Sequence, residues 1–185
     1  MIHSIEETQI KGLKLIHRDR KIDHRGYFEN FFSNLNFESI LPGEKIKQIN
    51  MSFSEKKGTI RGMHFQRSPF LEYKLVSCIS GSVFDVVIDL RQKSKTFFQT
   101  FSINLDNHSG ISLLIPPGFA HGFQTLESNT KLIYIHTNDY SAEYEDGINP
   151  NDPIFNIQWP LECSSISLRD RSHNYLTRKY EGVIT

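Results

Sequence analysis

Short stretches in which apolar and polar residues alternate dominate this chain, and they constrain its fold more than any other feature. The alternation has a period of two, which is the spacing of a β-strand whose two faces meet different surroundings. Residues that favour strands are abundant, with 14 Phe and seven Tyr among 185 residues. The segments predicted to form strands are residues 13–17, 46–52, 74–79, 83–90, 96–105, 112–115, 122–126 and 131–137.

Turn-forming residues separate these segments at short intervals. Clusters rich in Gly, Pro, Asn, Asp and Ser occur at residues 42–43, 80–81, 106–110, 116–118 and 127–129. Connections this short suit antiparallel strands and argue against the crossover helices of a βαβ protein. The chain is therefore predicted to be all-β, a sandwich or jelly-roll barrel with short peripheral helices and an interior that can hold a small ligand. Residues 33–41 are the predicted helix, and the strand-poor tail after Trp159 is predicted to wrap the barrel.

Length and charge limit the classes of protein that fit. With 185 residues, 38% of them apolar, residues 1–185 are predicted to form a single domain with a real core. Lys plus Arg equal Asp plus Glu at 21 each, which gives no overall attraction to nucleic acid or anionic membranes. No apolar stretch reaches the roughly 20 residues that span a bilayer, and no secretory signal pattern is present. Cys78 and Cys163 lack Cys-x-x-Cys spacing, so reduced thiols in a soluble cytoplasmic protein are expected.

Two histidine-bearing segments are the strongest candidates for a functional site. His64 lies in residues 61–66 and His121 in residues 116–123, and both segments are predicted to be turns that bring a histidine to one cavity. Both resemble the motifs of metal-binding cupins. A metal cupin needs His-x-His and a following Glu, whereas Gln66 takes the second position here. Two histidines without a third strong ligand predict no bound metal.

His64, Lys74 and a tyrosine can carry out acid–base chemistry without a metal. A neutral histidine accepts a proton near pH 7, and a carboxylate bound to its other nitrogen raises its basicity. An acidic C–H group, such as the one next to a ketone, suits such a base. Lys74 would stabilise the enolate oxygen, and a phenol on the opposite face would return a proton with inverted configuration. Proton removal and return with inversion is epimerisation, and it requires no redox cofactor.

The chain resembles a known family, and the resemblance is carried by ordered motifs along nearly its whole length. They are Asp23-His-Arg-Gly, Gln48-Ile-Asn, Arg61-Gly-Met-His-Phe-Gln, Lys74-Leu-Val, residues 81–91, Pro117-Gly-Phe-Ala-His-Gly-Phe, Tyr134, Tyr140, Asn151-Asp and Trp159-Pro. They are similar to the motifs of the dTDP-4-dehydrorhamnose 3,5-epimerases, which act on nucleotide sugars. The resemblance implies a cupin jelly roll, no cofactor, and a homodimer in which a strand exchanged from the partner contributes to each active site.

The resemblance also implies roles for individual residues. His64 would be the base, with Asp170 as its partner. Lys74 would stabilise the enolate oxygen, and Tyr134 would act as the acid. The implied substrate contacts are His121 in the sugar pocket, Tyr140 on the thymine base, and Arg25, Phe28, Glu29, Gln48, Asn50, Arg61, Glu145 and Arg169 around the nucleotide. The implied reaction is inversion at C3 and C5 of dTDP-4-dehydro-6-deoxyglucose, on the route to dTDP-rhamnose and surface polysaccharide.

Two assignments stay open at the level of sequence. Asp85 and Asp89 share one face of a predicted strand, and either could replace Asp170 as the partner of the histidine. In the family a Glu tends to lie five residues after the arginine of Arg-Gly. Here Glu29 lies four residues after the arginine, so Asn30 competes with it for the partner-strand contact.

Other activities also fit parts of the pattern. An epimerase that inverts only C3 or only C5, or that accepts another nucleotide sugar, would use the same residues. A cupin that binds a sugar nucleotide without turnover is disfavoured because His64, Lys74 and Tyr134 occur together. A metal-dependent oxygenase is disfavoured because a third metal ligand is absent.

Overall fold

The computed structural model describes residues 2–177 and 179–185 and consists mainly of strands. The elements are β1 (Ile2–Glu7), β2 (Lys14–Arg18), β3 (Arg20–Asp23), β4 (Gly26–Glu29), α1 (Asn34–Ile40), β5 (Gln48–Ser54), β6 (Ile60–Gln66), β7 (Lys74–Ser80), β8 (Ser82–Asp89), β9 (Thr100–Asp106), β10 (Ile111–Ile115), β11 (Phe119–Thr125), β12 (Thr130–His136), β13 (Glu145–Gly147) and α2 (Leu168–Ser172). Neither helix in these ranges is long and apolar enough to cross a membrane.

Two antiparallel sheets form the body of the molecule. Six strands lie in the order β1-β2-β10-β7-β12-β5, and five lie in the order β13-β6-β11-β8-β9. A separate two-stranded hairpin consists of β3 and β4. The predicted all-β jelly-roll fold is confirmed.

The core lies where the inward faces of the two sheets meet. Its buried side chains come from strands of both sheets, and those from one strand lie on the same face, as a period of two requires. They include Leu15, Val76, Val83, Val87, Leu105, Leu113, Phe119, Phe123 and Leu132. Each fully buried aliphatic side chain contributes roughly 1.5–3 kcal/mol through removal of apolar surface from water. The core therefore fixes the two sheets relative to each other and provides a firm base for polar side chains at their rim.

The predicted strands are present, with shifted ends, but the sequence pattern missed β1, β3, β4, β6 and β13. The segment predicted to begin at residue 96 becomes a strand only at Thr100, because residues 94–99 form hydrogen-bonded turns. The prediction of histidine-bearing turns is wrong. His64 lies within β6 and His121 within β11, and the two are direct cross-strand partners.

Both predicted peripheral features are confirmed. Helix α1 begins after Ser33, whose hydroxyl accepts a hydrogen bond from the backbone N–H of Asn36, and its Phe37 and Ile40 are buried against the six-stranded sheet. The tail packs along the five-stranded sheet, where the N–H of Val183 donates to the carbonyl of Leu90 at 2.6 Å. Helix α2 lies in this tail and reaches β6, so the tail also completes the site described next.

Candidate active site

A cavity of about 790 Å³ is lined by strands of both sheets and by residues 165–170 of the tail. This volume is within the usual range for small-ligand sites. Eleven of the residues predicted to form the site line the cavity: Gln48, Asn50, Arg61, His64, Lys74, His121, Tyr134, Tyr140, Glu145, Arg169 and Asp170. Arg25, Phe28 and Glu29 do not line it in this chain. Residues from β5 to α2 are therefore gathered around one space.

His64 and Asp170 form a hydrogen-bonded pair at the cavity wall. The Nε2 atom of His64 lies 2.9 Å from Oδ1 of Asp170, and the backbone N–H of Gly62 donates to Oδ2 at 3.1 Å. Burial by itself would raise the pKa of Asp170, but hydrogen bonds from His64 and Gly62 outweigh it and bring the pKa to about 2. An ionised carboxylate only accepts hydrogen bonds, so Nε2 of His64 carries the proton and Nδ1 is left to act as a base.

Local sequence explains why Asp170 reaches His64. Ser167 caps α2, and its hydroxyl accepts a hydrogen bond from the backbone N–H of Asp170 at 3.0 Å. The helix has only five residues, and Asp170 is its buried member. The charged sequence Arg169-Asp-Arg suggests a solvated surface, yet docking of α2 on β6 turns this carboxylate inward.

The two rival carboxylates have other partners. Both oxygens of Asp85 lie within 3.0 Å of Nε2 of His121 in a second, fully buried pair. Asp89 instead accepts hydrogen bonds from Arg91 and from the hydroxyl groups of Ser94 and Thr96. In this geometry Asp170 is the partner of His64, and the alternatives Asp85 and Asp89 are not supported.

Tyr134 contributes a protonated phenol to the cavity. Its hydroxyl lies 2.9 Å from Oγ of Ser52 on the neighbouring strand β5. Burial raises the pKa of Tyr134 above its ordinary value of 10. The phenol therefore keeps its proton at neutral pH and is available as a general acid.

Lys74 belongs to a network that sequence reasoning missed. Its Nζ atom lies 3.5 Å from Oε1 of Glu72, and Oε2 of Glu72 accepts a hydrogen bond from Nδ1 of His136 at 2.7 Å. The side-chain amide nitrogen of Asn50 lies 3.4 Å from Nε2 of His136. Burial by itself would raise the pKa of Glu72, but His136 and Lys74 outweigh it and lower that pKa. Lys74 thus lies at the cavity with a defined counter-ion.

The polar residues of the cavity mouth form a second network. The hydroxyl of Tyr140 donates to Oε2 of Glu145 at 2.6 Å, and the same oxygen pairs with Arg169 at 2.5 Å. The side-chain oxygen of Gln48 accepts from the backbone N–H of Tyr140 at 3.0 Å. The Tyr140 ring itself is about half exposed, at 53%. An exposed aromatic ring held at its hydroxyl offers a face on which a planar base can stack.

The remaining arginines and the hairpin residues have local partners. Arg61 donates to the hydroxyl of Ser54 and to the carbonyl of Phe53, which holds it at the edge of β5. Arg25 pairs with Asp23 and is largely exposed at the β3–β4 turn.

Glu29 is a buried counter-ion for two arginines. Its carboxylate pairs with Arg18 and Arg20, and its side chain is only 12% exposed. Phe28 is exposed on the same hairpin. The hairpin residues therefore do not line the cavity of their own chain.

His173 is a further residue beside the dyad that sequence reasoning did not identify. A ring nitrogen of His173, a ring nitrogen of His64 and a carboxylate oxygen of Asp170 lie within 4.8 Å of one another. Burial is the largest cause that lowers the pKa of His173. No sequence signal identified it, because His173 lies just after α2 and no helix was predicted in the tail.

Taken together, the cavity contains a base with a carboxylate partner, an ammonium group and a protonated phenol. Such a set can remove a proton next to a carbonyl group, stabilise the resulting enolate and return a proton.

Comparison with known proteins agrees with this chemistry. The family model for dTDP-4-dehydrorhamnose 3,5-epimerase matches residues 7–178. A dTDP-4-dehydrorhamnose 3,5-epimerase of Sinorhizobium fredii is 42% identical over 156 residues, which are 84% of this chain and 80% of the relative.

Solved structures show the same fold. The epimerase of that name from Bacillus anthracis, with TDP and PPi bound, is 35% identical with a TM-score of 0.89, over 94% of this chain and 99% of the other. A 3'-monoepimerase from Streptomyces bikiniensis, in complex with dTDP-quinovose, is 27% identical with a TM-score of 0.83, over 91% of this chain and 85% of the other. From its sequence, fold and cavity, the chain belongs to the dTDP-4-dehydrorhamnose 3,5-epimerase family of isomerases.

Proposed function

We propose that this protein inverts both C3 and C5 of dTDP-4-dehydro-6-deoxyglucose to give dTDP-4-dehydrorhamnose, with His64 as base and Tyr134 as acid. One arrangement supports the proposal above all others. The base, an ammonium group and a protonated phenol line one cavity, and Asp170 holds Nε2 of the base at 2.9 Å. This hydrogen bond leaves Nδ1 to receive the substrate proton.

Each step of the mechanism uses a residue at the cavity wall. The C–H bond next to the ketone breaks, its proton moves to Nδ1 of His64, and the electron pair becomes the enolate. Negative charge then develops on the ketone oxygen, where the Nζ group of Lys74 stabilises it. Tyr134 donates its phenolic proton to the carbon from the other face, which inverts the configuration. Solvent exchange returns His64 and Tyr134 to their starting protonation states before the second carbon reacts.

The mouth of the cavity suits the nucleotide. Tyr140 offers its exposed ring to the thymine base, and Arg61 and Arg169 offer guanidinium groups to the diphosphate. Gln48, Asn50 and His121 line the part of the cavity between the nucleotide and the sugar.

We further propose a homodimer in which the β3–β4 hairpin of one subunit contacts the cavity of the other. Exposed Phe28 and Arg25 support this, because neither reaches the cavity of its own chain. Co-expression of His64→Ala and Arg25→Ala subunits tests the arrangement. If Arg25 acts across the interface, a mixed dimer contains one intact site and regains activity that neither variant has alone. Absence of recovery in a purified mixed dimer would exclude contact in trans.

Proton exchange tests the catalytic proposal directly. The protein is incubated in deuterated water with dTDP-4-dehydro-6-deoxyglucose and a chelator, and C3 and C5 are followed by NMR. We expect deuterium at both carbons, with inverted products. Deuterium at one carbon would identify a mono-epimerase, the alternative kept open by the similar fold of the 3'-monoepimerase. Absence of exchange with substrate bound would refute the proposed function.

Two variants assign the roles. His64→Ala is expected to abolish exchange, since the base is removed. Tyr134→Phe is expected to retain exchange but to impair inversion, whereas the control Tyr175→Phe, at an exposed ring outside the cavity, should match the wild type. Normal inversion in Tyr134→Phe would contradict its role as the acid.

A further inference from the structure

The neighbourhood of the catalytic dyad contains three good metal ligands. Two ring nitrogens, from His64 and His173, and a carboxylate oxygen of Asp170 lie within 4.8 Å of one another. The rings of His64 and His173 stand edge to face, with centroids 6.3 Å apart. Zn²⁺ in proteins is commonly bound by this combination of imidazole and carboxylate, at about 2.0–2.2 Å from each ligand atom. Small rotations of the three side chains would bring their donor atoms around one ion.

His173 shows an independent sign of a missing ligand. Its Nε2 atom is buried and has no hydrogen-bond partner among the residues that the structure describes. A buried polar nitrogen without a partner destabilises the folded state, because it has lost its hydrogen bonds to water. The ring packs against Gly147, where an added Cβ atom would overlap Nε2 and the two ring carbons beside it. Gly147 pairs with His64 in the β13–β6 register, so the missing side chain at this position keeps His173 beside the dyad.

We propose that His64, Asp170 and His173 bind a divalent transition metal such as Zn²⁺ and that the bound metal inhibits the enzyme. Three protein ligands leave a fourth position for water, which is the usual arrangement of an open zinc site. An ion bound by Nε2 of His173 would also give this buried nitrogen a partner. The site differs from the His64 and His121 pair of a metal cupin, because its further ligands come from the carboxy-terminal tail.

Inhibition follows from the proton of His64, and this part of the inference rests on the proposed function. In the metal-free dyad the proton lies on Nε2, facing Asp170, and Nδ1 has the free lone pair. An ion between His64 and Asp170 takes the lone pair of Nε2, so the ring proton must move to Nδ1. A protonated Nδ1 cannot accept a proton from the substrate. The metal therefore removes the base without displacing the histidine.

Metal binding is measured on the full chain after chelator treatment and removal of the chelator. Zn²⁺ affinity is obtained by competition with a chromophoric chelator, and Co²⁺ serves as a spectroscopic probe of the ligands. We expect one Zn²⁺ per chain and visible absorption from Co²⁺ in a tetrahedral site. His173→Asn should weaken Zn²⁺ binding at least tenfold, and His173→Gln provides a second variant if the first is unstable. The matched control is His108→Asn, at an exposed histidine of the turn between β9 and β10.

Activity is then measured by proton exchange at buffered free Zn²⁺, because the diphosphate of the substrate also binds metal. Exchange by the wild type should fall as the site fills and recover when chelator is added. Inhibition of His173→Asn should need at least tenfold more Zn²⁺. Equal Zn²⁺ affinity in the wild type and both His173 variants would overturn the metal site. Full exchange with one Zn²⁺ bound would overturn inhibition. If Zn²⁺ binds as expected but the chelated wild type shows no exchange, the proposed function fails and the metal site stands.

Discussion

Two of the histidine–carboxylate pairs around this cavity differ in burial and in how many carboxylate oxygens contact the ring. In the cavity pair, His64 and Asp170, the shortest N···O distance is 2.9 Å, and the same distance separates the sheet pair, His121 and Asp85. The side chain of His64 is 31% exposed, whereas that of His121 is 6% exposed. Asp85 is completely buried. A carboxylate partner is therefore common to both histidines, and access to the cavity distinguishes the base.

The two pairs also differ in how the fold assembles them. Asp85 and His121 lie on adjacent strands, β8 and β11, at diagonal positions of one register. Asp170 instead arrives from α2, 106 residues after His64. The sheet pair forms between two paired strands of one sheet, whereas the cavity pair forms only when the tail docks on β6. We expect loss of the sheet pair to affect stability first and loss of the cavity pair to affect catalysis first.

The largest expected effect is on activity, which loss of the cavity pair should reduce more than loss of the sheet pair. Asp170→Asn removes the charge that keeps the proton of His64 on Nε2, so exchange should fall about 100-fold or more, within the usual contribution of general-base catalysis. Asp85→Asn should reduce the rate of exchange less, because His121 is not the group that removes the proton from the substrate. The measurement is the rate of deuterium incorporation for both variants at a temperature where each is folded by circular dichroism. Equal losses would mean that both pairs act as one catalytic unit.

The second expected effect is on stability, for which the sheet pair should matter more than the cavity pair. Asp85→Asn should lower the free energy of unfolding by about 2–3 kcal/mol, because a hydrogen bond to a charged group is lost where water cannot replace it. Urea unfolding followed by fluorescence of Trp159 measures this change. Val87→Ala, on the same face of β8, is the matched control for a generic loss of packing in the strand. A destabilisation by Asp85→Asn below 1 kcal/mol would contradict a structural role for the sheet pair.

Regular strands could be predicted from the sequence because their alternation is local. The ends of strand β8 were predicted to within one residue, because residues 83–89 are mostly apolar and strand-forming and lie between two turns. Strand β6 was missed because Gly62 and His64 interrupt its apolar positions. Its strand conformation comes from pairing with β11 and β13, which no local pattern contains.

Site residues could be predicted where they belong to a recognisable sequence motif. Their partners could not be predicted where tertiary packing brings them together. His64, Lys74 and Tyr134 were predicted to share a site because they occur together in the motifs of the family resemblance, and all three line the cavity. The Glu72–His136 partnership depends on the register that places His136 opposite Lys74 across β7 and β12. Likewise, choosing Asp170 over Asp85 required knowledge of where α2 docks.

The smallest expected effect concerns how stability depends on pH, and it isolates the carboxylate of the cavity pair. In the folded chain the pKa of Asp170 lies at about 2, below its ordinary value of 3.8. The folded state therefore binds this proton less readily than the unfolded state, and the resulting stabilisation is present above about pH 4. It amounts to about 2 kcal/mol, since one pKa unit corresponds to about 1.4 kcal/mol, and it is lost as the pH falls towards 2. Asp170→Asn should thus be less stable than the wild type at pH 6, with the difference narrowing between pH 4 and pH 2. Urea unfolding of both proteins across this range measures the difference in their free energies of unfolding. If that difference stays constant down to pH 2, the destabilisation by Asp170→Asn comes from packing and not from the charge that holds His64.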